Sequence, residues 1–152
     1  MKLQIASRIA IFALLDLAAK PDQQVSVAEI GEKFRISSHH LAKVMNVLGR
    51  ANLVRSVRGA GGGYQFSGNA RRTTLLDIIH LFEQFGPEDG DSGSPAHATD
   101  EERALRQVLD EIDDIARATF GSITIATMLK ILERHQSDRQ RASVKGRDRS
   151  SA

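Results

Sequence analysis

A chain of 152 residues with 41% hydrophobic and 26% charged side chains has apolar material for one packed domain and little more. It has no cysteine, which excludes disulfides, thiolate nucleophiles and metal centres built on sulfur. Its formal charge of +2 conceals a segregation: residues 1–72 carry 11 basic and 4 acidic side chains, residues 73–136 carry 5 and 13, and residues 137–152 carry 5 and 2.

The chain opens with an apolar stripe. Ile5, Ile9, Phe12 and Leu15 recur at helical spacing, widened by Ile11, Leu14 and Ala18, and predict a buried helix over residues 3–19 that ends at Lys20-Pro21-Asp22. The run is interrupted by Asp16 and too short to span a bilayer, and no small-residue cleavage site follows a basic start, so a cytoplasmic protein is expected. Ser26 with Glu29 three residues on marks a capping box for a second helix, with Val27, Ile30 and Phe34 facing inward and Arg35-Ile36 as the turn.

A third helix is predicted from about Ser37 to Arg50, burying Leu41, Val44, Met45 and Leu48. That register leaves His39, Lys43, Asn46 and Arg50 on the opposite face, polar and cationic. Such a stripe suits simple solvation, but as the second helix of a helix-turn-helix it suits the DNA major groove. Residues 53–58 then set Leu53, Arg55 and Val57 against Val54, Ser56 and Arg58, and Tyr64-Gln65-Phe66 resumes the alternation, giving a hairpin or wing. Gly59, Gly61, Gly62 and Gly63 at its tip allow positive φ and close approach of backbone to a phosphate; a plain flexible turn is the other reading. A nucleotide loop fails, because Tyr64 stands where a dinucleotide fingerprint needs glycine and no Lys-Ser/Thr follows the run.

Thr74 with Asp77 predicts a fourth helix burying Leu75, Ile78, Ile79, Phe82 and Phe85 up to Gly86-Pro87. Residues 86–99 read as an acidic, breaker-rich loop. Thr99 with Glu102 caps a long helix to about Thr119, whose stripe of Leu105, Val108, Leu109, Ile112 and Ile115 is a candidate dimerisation seam. Gly121 is expected to break it, and Thr124 to cap a last short helix with Ile125, Met128, Leu129 and Leu132. Residues 137–152 read as a disordered basic tail. The domain expectation is therefore a DNA-binding unit at 1–72, dimerisation or sensor helices at 73–136 containing loop 86–99, and the tail.

Several stretches together resemble the Rrf2 (Rrf-two) family of bacterial winged-helix regulators, the group with the iron–sulfur regulator IscR and the nitric-oxide-sensing NsrR. They are Met1-Lys2-Leu3, Ile36-Ser37-Ser38-His39-His40-Leu41, the wing from Leu53 to Tyr64, Asp77-Ile78 and Ser122-Ile123-Thr124-Ile125. The resemblance implies a mainly α fold: a winged helix-turn-helix with a two-stranded wing plus a long C-terminal dimerisation helix. It also implies a homodimer on a near-palindromic double-stranded operator.

Carried over by position, Ser38, His39 and Lys43 fall where the family's recognition helix meets bases or phosphates, Arg58 on its minor-groove arginine and Lys2 near the phosphates. The full candidate DNA-contacting set is Lys2, Ser37, Ser38, His39, His40, Lys43, Arg50, Arg55, Arg58, Gly59, Gly61, Gly62 and Gly63. Cluster-binding relatives place three cysteines in and just after the loop matching residues 86–100. Here there are none, and Arg8 stands where one branch supplies an acidic ligand. No cofactor is therefore expected.

Other metal readings are weak. Glu88, Asp89, Asp91 and His97 match no known ligand spacing, His39 and His40 project about 100° apart on a helix, and His80 reads as a core-edge histidine. The expectation is a cytoplasmic transcription regulator of the repressor type, not an enzyme, responding to a small-molecule or protein effector. The alternative is a winged-helix module that binds protein and is controlled by a partner. Arg55, Arg58 and the glycines discriminate, because they suit phosphates better than an apolar surface.

Overall fold

The computed structural model describes residues 2–59, 61–83 and 98–148, with backbone only for 143–148. The elements in order are α1 (Ile5–Ala18), α2 (Val27–Phe34), α3 (Ser38–Arg50), β1 (Val54–Val57), β2 (Gly63–Phe66), α4 (Leu75–Ile79), α5 (Asp100–Ser122) and α6 (Ile125–Asp148). Helix α1 is the hub, touching α2, α3, α4, α6 and β2. Its Ala10, Ala13, Leu14 and Leu17 are fully buried, as are Ile30 of α2, Leu41, Met45 and Leu48 of α3, Ile78 and Ile79 of α4, and Ile125 of α6. The core therefore crosses residue 73, and the segments on either side of it do not have separate interiors.

All four expected capping residues act as caps. Ser26 Oγ accepts from Glu29 N–H at 3.1 Å while the Glu29 carboxylate accepts from Ser26 N–H at 2.7 Å, and Thr74–Asp77 and Thr99–Glu102 repeat the reciprocal pair. Thr124 Oγ1 accepts from Thr127 N–H at 3.1 Å. The helix-turn-helix corner depends on a residue the sequence reading passed over. Arg35 caps α2 in the left-handed region (φ 55°), Ile36 N–H reaches back to Gly31 O at 2.8 Å, and a Cβ on Gly31 would lie 2.9 Å from Ile36 O.

Several expectations are corrected. Ile5 and Phe12, assigned to the buried stripe of α1, are 71% and 36% exposed, because that edge of the helix is covered only in part, Phe12 by the stacked ring of Phe34. Helix α4 stops at Ile79, after which N–H groups of Leu81 and Phe82 turn back to carbonyls three residues earlier. The reason is tertiary: the Glu83 carboxylate accepts from Gln4 N–H and Ser7 Oγ–H, capping α1, whose own N-cap residue makes no side-chain bond. His80 is exposed at the end of α4 rather than at the core edge.

Gly121 does not end α5, which runs to Ser122. The break comes at Ile123, drawn into extended geometry by a bridge in which its carbonyl accepts from Leu75 N–H at 2.8 Å and Thr73 O accepts from Ile125 N–H at 2.9 Å. Helix α6 is long rather than short and continues through residues expected to be disordered, as far as Asp148. From Glu133 onward it is rich in Arg, with Glu133, Gln136 and Gln140 also good helix formers and no proline, and low hydrophobicity alone does not prevent a helix there. Phe85, Gly86-Pro87 and the acidic run with Glu88, Asp89, Asp91 and His97 lie outside the described residues.

Candidate nucleic-acid interface

Helix α3 is positioned by its apolar side. Leu41, Val44, Met45 and Leu48 are at most 4% exposed, which fixes the helix rotation and turns His39, Lys43, Asn46 and Arg50 to solvent. His39, Lys43 and Asn46 border one shallow depression together with Ala42. Ser37 caps the helix: its Oγ accepts from His40 N–H at 3.4 Å and lies 2.9 Å from His40 Nδ1. His40 is thus folded against its own cap, while His39, with ring centroids 6.0 Å away, faces outward. Ser38 is exposed in the first turn, where unpaired backbone N–H groups suit an anion.

The chain leaves α3 through Asn52, in the left-handed region at φ 57°, with Leu53 N–H bonded to Leu48 O at 3.0 Å. That turn launches the wing directly from α3. The strands pair antiparallel with Val54 opposite Phe66, Arg55 opposite Gln65, Ser56 opposite Tyr64 and Val57 opposite Gly63. Val25 adds a third rung, exchanging bonds of 2.9 and 2.8 Å with Tyr64, so the wing is stitched to the segment before α2.

Arg55 donates to Gln65 Oε1 at 3.1 and 2.7 Å, and Gln65 in turn donates to Pro21 O at 2.7 Å. It serves first as a brace of the wing. Arg58 at the tip is exposed and has no such tie among the described residues.

The glycines divide. Gly59 (φ 130°) and Gly61 (φ 74°) hold the backbone where L side chains are strained, and the space beside Gly59 is open. Gly62 and Gly63 answer to the protein itself: a Cβ on Gly62 would lie 2.9 Å from Val57 O, and one on Gly63 only 2.4 Å from Val25 O. Gly62 and Gly63 thus have a reason within the protein for lacking a side chain, whereas Gly59 is constrained by its φ alone. Lys2 is exposed ahead of α1 and bonds to neither α3 nor the wing. Sequence reasoning missed Gln65 and Gly31. The first was visible as the cross-strand partner of Arg55; the second had no signal short of the corner's geometry.

Electrostatically the segment is one-signed. Between Glu32 and Asp77 there are eight basic side chains and no acidic one. Two of the four carboxylates of the same half are occupied elsewhere: Asp16 is buried and ion-paired to Lys33, and Glu29 is held in its capping box, where the Ser26 N–H and hydroxyl keep its carboxyl below its usual value of 4.5.

With this geometry in place, comparison with known proteins is decisive. The profile of the Rrf2 family, described as iron-dependent transcriptional regulators, matches residues 3–131. The chain belongs to the Rrf2 family. BadM of Rhodopseudomonas palustris, described as an HTH-type transcriptional regulator, is 48% identical over 141 residues, covering 91% of this chain and 89% of BadM. The HTH-type regulator CymR of Bacillus subtilis is 30% identical over 90% of this chain and 95% of its own.

Solved Rrf2 structures share the fold. B. subtilis CymR, the global cysteine regulator, superposes with a TM-score of 0.72 at 27% identity, covering 86% of this chain and 98% of that one. T. potens IscR gives 0.67 at 30% identity over 90% and 91%. The protein is thus an Rrf2-type winged-helix transcriptional regulator, from a family of regulators and not of enzymes.

The iron in the family's description does not fit this chain through a sulfur-held cluster. There is no cysteine anywhere in the sequence, and among the described residues no three His, Asp or Glu side chains converge on a metal position. Among the described residues no helix is long and apolar enough to cross a membrane.

Proposed function

We propose that this Rrf2 protein is a sequence-specific repressor that binds a near-palindromic DNA operator in the cytoplasm as a homodimer, without a cysteine-ligated cluster. The observation that carries the DNA reading is the acid-free segment from Lys33 to Leu76. It presents His39, Lys43, Asn46 and Arg50 on the outer face of α3 and Arg58 on the wing. In this reading Ser38, His39 and Lys43 read base edges, with Arg50 and the first-turn N–H groups of α3 on phosphates. Arg58 enters the adjacent minor groove, Gly59 and Gly61 bring backbone to the sugar–phosphate chain, and Lys2 adds a flanking contact.

Dimerisation is supported by α5. Leu105, Val108, Leu109, Ile112 and Ile115 are 52–67% exposed along one stripe of a 23-residue helix in which no residue is buried. Covering the exposed half of five such side chains is worth on the order of 5 kcal/mol per copy. Two stripes meeting supply on the order of 10 kcal/mol, enough to offset the cost of association.

The test is fluorescence anisotropy of the full-length protein on operator DNA selected from random sequence, against a scrambled duplex, at increasing salt. Preference for the selected sequence with a steep fall of affinity with salt is expected, the slope being about −0.9 per phosphate neutralised. Equal, salt-insensitive affinity for both duplexes would refute the DNA reading.

A further inference from the structure

The first residues of a chain are poorly ordered unless something ties them down. Gln4, the N-cap residue of α1, makes no side-chain bond of its own. Its N–H instead meets both carboxylate oxygens of Glu83, 79 residues on, at 3.3 and 3.4 Å, and the same carboxylate accepts from the Ser7 hydroxyl in the first turn of α1. Ser7 is fully buried, and Leu3, just before Gln4, packs against the core. The base of this clasp is rigid as well. The N–H groups of Leu81, Phe82 and Glu83 bond back to the carbonyls of Ile78 and Ile79 at 2.9–3.2 Å, and both isoleucines are fully buried. Lys2 stands two residues ahead of the clasped N–H, exposed, and forms no ion pair among the described residues.

As a bare charge, Glu83 works against a phosphate ligand; as an anchor, it works for one. A lysine whose backbone is already fixed loses little conformational freedom when its ammonium meets a phosphate, whereas one on a loose terminus must be ordered at that moment. We propose that Glu83 is a positioning residue for DNA binding, whose carboxylate acts through Gln4 and Ser7 to hold Lys2 against the operator backbone. Glu83 touches no DNA itself. A carboxylate of the acidic segment 73–136 thus serves the basic segment at its N-terminus. This role rests on the DNA reading above; the clasp does not.

The clasp is read first without DNA, by nitrogen-15 relaxation of the full-length protein. Heteronuclear NOE values of Leu3 and Gln4 should match those of α1 in the wild type and fall in Glu83→Ala. Operator affinity is then measured by anisotropy over a salt series for Lys2→Ala, Glu83→Ala and the double variant. Lys2→Ala should weaken binding severalfold and flatten the salt slope by about 0.9, the share of one phosphate. Glu83→Ala should do the same although it removes a negative charge, and the double variant should be no weaker than either single one. Glu83→Gln, which keeps an acceptor oxygen for the clasp, should regain most of the loss, and Glu83→Asp, one methylene shorter, should not.

Unchanged or raised operator affinity in Glu83→Ala would overturn the role, since the lost charge alone raises it. So would additive losses in the double variant, which would mark a general loss of fold, or a Lys2→Ala protein with wild-type affinity and slope. Should Glu83→Ala fail to fold, Ser7→Ala, which removes one donor at little change of volume, takes its place in the cycle with the same outcomes. Mobile Leu3 and Gln4 in the wild type would overturn the clasp. Failure of the DNA reading appears separately, as loss of sequence preference in the wild type.

Discussion

Helices α3 and α5 are both amphipathic and both capped by a hydroxyl side chain, yet they stand in opposite relation to the core. In α3 the apolar stripe is at most 4% exposed and the polar stripe is left to solvent; in α5 the apolar stripe itself is 52–67% exposed. The first helix is satisfied within its own chain, so its outward face is free to be chosen for a ligand. The second is satisfied only when something apolar covers it, and a second copy of the same stripe is the partner always present.

The largest effect should separate these two stripes. Leu48→Ala, at a fully buried position of α3, should cost about 2–5 kcal/mol of stability, with a denaturation midpoint that drops by the same amount at every protein concentration. Leu109→Asp or Ile112→Asp should instead convert a dimer to monomers at micromolar concentration, read by light scattering. A wild-type monomer under those conditions would break the comparison, because α5 would then need no partner.

The wing sharpens the contrast between residues that hold the site and residues that use it. Gly63→Ala places a Cβ 2.4 Å from Val25 O, so the third rung must move. A loss of about 1–3 kcal/mol in stability, with amide shifts at Val25 and Tyr64, is the expected result. Gly59→Ala meets no atom and pays only for its φ, about 1–3 kcal/mol, and should leave the Val25 and Tyr64 amides unmoved, so shifts there as large as those of Gly63→Ala would reverse the assignment.

Arg58→Ala should leave the fold intact and weaken operator binding by about 1–3 kcal/mol. Arg55→Ala should weaken it less, because that guanidinium already bonds Gln65. Equal losses in anisotropy titrations would place both arginines on DNA.

The smallest effect is at the cap of α2. The Glu29 carboxyl lies below its usual 4.5 because it accepts from Ser26. Its contribution to stability is therefore fully present above that value and fades as the pH falls through the lower folded-state value. Glu29→Gln should flatten the acid limb of a pH–stability profile and change nothing at neutral pH beyond the loss of the charge at the helix N-terminus. An identical acid limb in the two proteins would show that the capping box is not populated in solution.

Much of the fold was legible because local chemistry decides it. Ser26, Thr74 and Thr99 with their carboxylate partners three residues on mark helix starts in any context, and the period of Leu41, Val44, Met45 and Leu48 sets both the buried and the outer face of α3. The alternation either side of the glycines determined the hairpin, and the absence of cysteine by itself ruled out a thiolate-held cluster.

What only the tertiary structure decided concerns groups whose partners are distant in sequence. Glu83 reaches back to Gln4 and Ser7 and so shortens α4, and the Thr74–Thr124 bridge, not Gly121, ends α5. Val25 dictates that Gly63 has no side chain, and Ile36 O does the same to Gly31. Periodicity says that Ile5 and Phe12 are apolar and share the stripe of α1, but whether anything covers them is settled by where α2 and its corner come to rest. That packing leaves them at the edge of a groove, because a helical pattern specifies a face and not its occupant.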